Sequence, residues 1–154
     1  MNIATQAESV SGEHRFVQDV ASLLATWGMP SSVGRVYGYL LLKQAPVSLD
    51  QIALELQMSK GGAWAAARRL EQIGHARRYG EPGSKRALFG PSDNYETPVL
   101  DYSALLGAFG KLLESAAATA DTKRAATGLS ERAQFYLSMR QTIETAVRAL
   151  REQS

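Results

Sequence analysis

Cysteine is absent from the 154 residues, and histidine occurs only twice. The first absence excludes disulfides, thiolate metal sites and cysteine redox switches, and it fits a reducing compartment. The second leaves His14 near the N-terminus and His75 after a helix end, with no Ser/His/Asp or metal-ligand spacing around either. GEPGSK lacks the arrangement of a phosphate-binding P-loop, so neither catalysis nor a cofactor nor a metal is expected. No stretch approaches 18 consecutive apolar residues, and MNIATQAESVSGEHR has no basic segment leading into an apolar run. A membrane span and a signal peptide are therefore not expected, and the expected address is the cytoplasm.

An excess of one charge is also nearly missing, at +2 overall, but the distribution is uneven. Between Gln57 and Gly90 seven cations stand against Glu71 and Glu81, a net +5 that leaves −3 for the remainder. A basic segment inside a slightly acidic chain is an electrostatic footprint suited to a polyanion.

What is present is helical periodicity. The first dozen residues are polar and small and read as a frayed arm. Phe16, Val17, Val20, Leu23, Leu24 and Trp27 then form one apolar stripe, a helix over about 13–27 stopped by Gly28 and Pro30. A second helix starts with Ser31 or Ser32 as cap and runs to about residue 44. In SLDQIALEL, Ser48 and Gln51 have capping-box spacing and Leu49, Ile52, Ala53 and Leu56 follow i, i+3, i+4, i+7. Three residues later Ser59 caps the next helix, which Gly74 closes. Two short strands, 75–79 and 85–89, flank the turn-forming tip 80–84. A long helix over about 97–119, a break at DTKRAATGLS and a last helix over about 130–152 complete the chain.

The stretch SKGGAWAAARRLE places Gly61 and Gly62 near the start of a helix, where each interior glycine costs up to ~1 kcal/mol relative to alanine. Two helices across a three-residue turn, followed by a hairpin with a basic tip, make a winged helix-turn-helix. At 100° per residue Ala63, Ala66, Leu70 and Ile73 face inward, while Lys60, Gly61, Trp64, Ala65, Arg68 and Gln72 face outward. On that reading the glycines let the backbone approach a DNA major groove. Ser59, Lys60 and the first-turn N–H groups suit a phosphate, Arg68 a guanine edge and Gln72 a base edge if the helix inserts deeply. Arg77, Arg78, Lys85 and Arg86 would meet backbone or minor groove. Arg69, on the flank, suits either a phosphate or a surface ion pair. Gly61 and Gly62 also fit a tight helix packing, and Trp64 a wedge between wing and helix.

WGMPSSVGRVYGYLLL, SLDQIALELQMSKGGAWAAARRLEQIG and RRYGEPGSKRALF together resemble the MarR-type winged-helix transcriptional regulators, particularly their GbsR-like branch. The resemblance covers about residues 13–120. It implies a mainly α fold with a small β-hairpin wing and N- and C-terminal dimerisation helices. The division it suggests is a flexible arm at 1–12, a dimerisation helix at 13–30, a DNA-binding domain at 31–95 and a helical dimerisation region at 96–154. It further implies a homodimer on a roughly palindromic double-stranded operator, acting as a repressor whose binding responds to a small molecule, choline-like cations among the candidates. Trp27, Tyr37, Tyr39, Tyr95, Tyr102 and Phe109 could wall an aromatic cage for such a cation, but no ligand residue is assigned. The rival reading is a winged helix used as a protein-interaction module with Trp64 as its anchor.

Overall fold

The computed structural model describes residues 2–154, which divide into two compact units, one running to Asn94 and the other over Tyr95–Ser154. The described residues form six helices and one small antiparallel sheet, the mainly α winged helix-turn-helix expected from the sequence.

In the first unit, α1 (Ile3–Ala25) begins ten residues before the position its apolar stripe suggests. The stretch expected as an arm is instead helical, because Ala, Gln and Glu are good helix formers even where almost every side chain is exposed. Gly28, at φ +82°, ends the following turn. α2 (Ser31–Leu42) starts after Pro30, so Ser31 lies in its first turn and caps nothing. Gly34 and Gly38 set how close α1 and α2 come. A Cβ on Gly34 would stand 2.6 Å from the Ala21 Cα, and one on Gly38 3.1 Å from the Val17 Cα. Without side chains, those two positions let the backbones meet.

The two-residue strand β1 (Val47–Ser48) leads directly into α3 (Leu49–Leu56), where Ser48 Oγ accepts from the Gln51 N–H at 3.2 Å. The Gln51 side chain does not close a capping box; it donates to Glu55 Oε1 at 3.1 Å. Gln57, left-handed at φ 53°, turns the chain into α4 (Lys60–Gln72), where Ser59 Oγ accepts from the Gly62 N–H at 3.0 Å. Gly74, at φ +81°, closes α4 as expected, with the His75 N–H donating to the Leu70 carbonyl.

The wing strands are β2 (Ala76–Gly80) and β3 (Ala87–Pro91), one or two residues later than their sequence pattern suggests. The sheet order is β1-β3-β2, with Phe89 opposite both Val47 and Arg78. Phe89, Val36, Leu40, Ile52, Leu70 and the small face of α4 (Ala63, Ala66, Ala67) form the core.

The second unit is a hairpin of α5 (Glu96–Ala118) and α6 (Lys123–Glu152). The break is only four residues long, and α6 starts seven residues earlier than expected: Thr122 Oγ1 caps it by accepting from the Ala125 N–H, so Gly128 lies inside the helix. Small residues fix the contact. Ser103 is fully buried and donates to the Arg140 carbonyl, while a Cβ on Gly107 or Gly110 would collide with Arg140 or Leu137. Arg151 forms an ion pair with Glu96, which holds the Glu96 carboxyl below its ordinary range.

Candidate nucleic-acid interface

α4 separates its residues as the 3.6 period requires. Ala63, Ala66, Ala67 and Leu70 are buried, whereas Lys60, Gly61, Trp64, Ala65 and Gln72 are exposed. A Cβ on Gly61 would meet nothing within 4 Å, so this glycine does not serve helix packing. Gly62 differs: its Cβ would stand 3.0 Å from Ser59 Oγ and crowd the capping hydroxyl. Trp64 is half exposed on the outer face, with the Arg68 guanidinium over its ring at 5.8 Å.

The cations fall into two groups. Lys60 pairs with Asp50 at 3.0 Å in an exposed contact, a kind worth ~1 kcal/mol or less and easily exchanged for another anion. Arg68 and Arg78 both meet Glu71. The side chains of Arg69, Lys85 and Arg86 have no hydrogen-bond or ion-pair partner among the described residues, so the surface ion pair considered for Arg69 is not formed. Arg77 lies over the Tyr79 ring at 5.5 Å, and Arg78, on the other face of β2, over Phe89 at 5.3 Å. Lys85 and Arg86 belong to the exposed tip, where a turn closes by the Ser84 N–H donating to the Glu81 carbonyl and Gly83 takes φ +74°. All twelve candidate residues, Ser59 to Gln72 on or capping α4 and Arg77 to Arg86 on the wing, thus belong to the first unit.

Two features are missed by sequence reasoning. Glu71 enters it only as a charge, although its i, i+3 spacing from Arg68 is legible. The other is a cavity of about 280 Å³ beside the helix-turn-helix, whose lining includes His14, Arg35, Tyr39, Lys43, Glu55 and Leu56. Arg35 Nη2 donates to the Leu56 carbonyl at 2.6 Å, tying α2 to the last residue of α3, while its buried Nε has no hydrogen-bond partner among the described residues. Burial and the neighbouring Glu55 carboxylate push the Tyr39 phenol well above its ordinary value. Burial opposes ionisation of Glu55, but Lys43 at 3.0 Å, with Tyr39 and Gln51, holds its carboxyl below the usual range.

The candidate cage walls in this unit occupy three settings: Trp27 is exposed, Tyr37 lies against His75 at 5.0 Å, and Tyr39 is buried with Lys43 over its ring. Among the described residues no three His, Asp or Glu side chains come together as a metal site, and no helix is long and apolar enough to cross a membrane.

No protein-family model matches the chain. Two curated proteins of Bacillus subtilis (strain 168) do. One is YvaV, named as an HTH-type transcriptional regulator, 29% identical over 93 residues that cover 60% of this chain and 52% of the relative. The other is the HTH-type transcriptional repressor OpcR, 28% identical over 83 residues, 54% of this chain and 45% of the relative. The chain thus spans about half the length of the curated relatives it matches. Among solved structures, one titled as a transcriptional regulator superposes with a TM-score of 0.81 at 21% identity, covering 92% of this chain and 99% of that one. The fold is therefore a winged helix-turn-helix, and the sequence relatives are helix-turn-helix transcriptional regulators.

Proposed function

We propose that this winged helix-turn-helix chain is a sequence-specific DNA-binding transcriptional regulator of the MarR type and its GbsR-like branch: a cytoplasmic, non-enzymatic homodimeric repressor that a small molecule relieves. The observation that carries the reading is the outer face of α4, open to solvent at Gly61 and accompanied on the same unit by the wing cations Lys85 and Arg86, whose side chains have no partner among the described residues. The N-terminal turn of α4 enters the major groove, and the missing Cβ at Gly61 lets the backbone come close. Ser59, Lys60 and the first-turn amides hold a phosphate, and Arg68 and Gln72 face base edges. Arg69, Arg77, Lys85 and Arg86 neutralise phosphates, which makes affinity fall with salt. Two copies read the two halves of a palindromic operator.

The cavity lined by Arg35 and Tyr39 is where an effector would act on the helix-turn-helix, since the Arg35 link to Leu56 ends at the turn that sets the angle of α4. One observation favours a second reading: half-exposed Trp64 has the character of a protein-contact anchor.

Fluorescence anisotropy on the DNA upstream of the protein's own gene, against a scrambled duplex at low and physiological salt, tests the proposal. Wild type is expected to bind the upstream duplex at physiological salt at least ~10³-fold more tightly than the scrambled one. Gly61→Glu is expected to abolish this without loss of the helical signal, because bulk and negative charge then occupy the groove-facing turn. Arg77→Ala is expected to weaken both duplexes and reduce the salt slope by about 1. No binding of either duplex at low or physiological salt would favour the protein-interaction module.

A further inference from the structure

We propose that Glu71 is a specificity-determining residue of this surface: its carboxylate clasps one arginine of the recognition helix and one of the wing, suppressing indiscriminate phosphate binding and aiming Arg68 at the groove. The inference rests on the regulator reading above. A single oxygen, Glu71 Oε1, accepts from Arg68 Nη1 at 2.7 Å and from Arg78 Nη2 at 3.3 Å. Aromatic faces back both guanidinium groups, Trp64 under Arg68 and Phe89 under Arg78.

The clasp is not a device for stability. Side-chain exposures of 26% for Glu71, 38% for Arg68 and 43% for Arg78 leave these ion pairs in contact with water, where such pairs contribute little. Its effect is on charge and geometry. Two cations and one anion present a net +1 where two free arginines would present +2, so fewer counterions are released when any phosphate backbone docks. With one Nη1 hydrogen engaged, Arg68 keeps its Nη2 donors and its Nε–H in a fixed plane on the outer face of α4. A fork already oriented loses less rotamer entropy in a bidentate contact with a guanine edge. A loose arginine would settle on the nearest phosphate instead. The contrast lies within the same unit: Arg69, Lys85 and Arg86 have no acidic partner and supply the sequence-independent share of the affinity. Because Glu71 is on α4 and Arg78 on β2, the clasp also ties the wing to the helix.

The test uses the duplex that the wild-type full chain enriches from a random pool, compared with a scrambled duplex by anisotropy across a salt series, with wild type and Glu71→Gln. The substitution keeps the shape of the side chain and removes its charge. The expected result is scrambled-duplex binding tightened about threefold to tenfold, a selectivity ratio lowered by about tenfold and a salt slope on the scrambled duplex steeper by roughly 1. Hydrogen exchange in the free protein provides a readout without DNA: protection of the β2 amides should fall in the variant. A wild type that discriminates, beside a variant with the same ratio and slope, would overturn the clasp and leave the regulator reading standing. A wild type that enriches and binds no duplex would overturn both.

Discussion

His75 stands where α4 gives way to β2, its ring 5.0 Å from that of Tyr37 on α2 and tilted by 42°. Burial disfavours its protonated form and holds its pKa below the ordinary value near 6.5. In the window between the folded and unfolded values the unfolded chain binds the proton more readily, so stability rises with pH there. The His75 contribution is complete above about pH 7 and is lost as the pH falls through its depressed folded value. Thermal melts of wild type and His75→Phe at pH 7.5 and pH 5 should show a larger loss of Tm on acidification in wild type; equal losses would place the ring in water. At this scale the outward and inward faces of α4 are legible, because 100° per residue sorts Lys60, Gly61 and Trp64 from Ala63, Ala66 and Leu70 without further information. The pairing of Arg68 and Arg78 through Glu71 is legible only in half. The i, i+3 neighbour lies in the sequence, whereas Arg78 reaches Glu71 through the register of β2 against β3.

Between elements, glycine acts in two opposite ways. At Gly34 an added Cβ would lie 2.6 Å from the Ala21 Cα, backbone against which no rotamer change helps, so α1 and α2 would have to separate. Overpacking of this kind costs about 1–3 kcal/mol, more than the helix propensity of alanine returns. At Gly61 the same methyl group meets open space, and alanine should stabilise by up to ~1 kcal/mol. Urea unfolding of Gly34→Ala and Gly61→Ala should therefore move the midpoint in opposite directions, and a shared direction would contradict the close α1/α2 contact. The helices themselves are legible because apolar stripes and the caps Ser48 and Ser59 mark them. Their ends are less so: the first turns of α1 and of α6 bury almost nothing, and periodicity cannot register a helix that has no apolar stripe. Strand β1 is invisible for a related reason, since two residues carry no period and Val47 pairs with Phe89 only once the chain has folded.

For the whole molecule the decisive surface is the outer side of the α5/α6 hairpin. The small face of α5, Ser103, Gly107 and Gly110, is spent on α6, and this turns Tyr102, Leu105, Phe109 and Leu112 outward at 60%, 65%, 45% and 68% exposure. Phe135 adds 61% exposure on α6, and the Phe135, Tyr136 and Phe109 rings stand edge to face, at 5.5 Å and 4.9 Å between neighbouring centroids. A contiguous apolar surface of this kind is characteristic of a subunit interface, and under the homodimer proposal a second copy covers it. Leu105→Glu combined with Leu112→Glu would bring four carboxylates into a symmetric contact, while both positions are about two-thirds exposed in the single chain and leave the packing of α5 on α6 intact. Light scattering should find wild type at twice the chain mass and the double variant at the chain mass, with the helical signal retained. Because a monomer engages one half-site without the effective concentration supplied by its partner, operator affinity should fall by about 10²–10⁴-fold. Affinity for an isolated half-site should stay the same. A wild type that is monomeric at tens of micromolar, or a double variant that keeps full operator affinity, would show that the exposed hairpin face does not join the two reading heads.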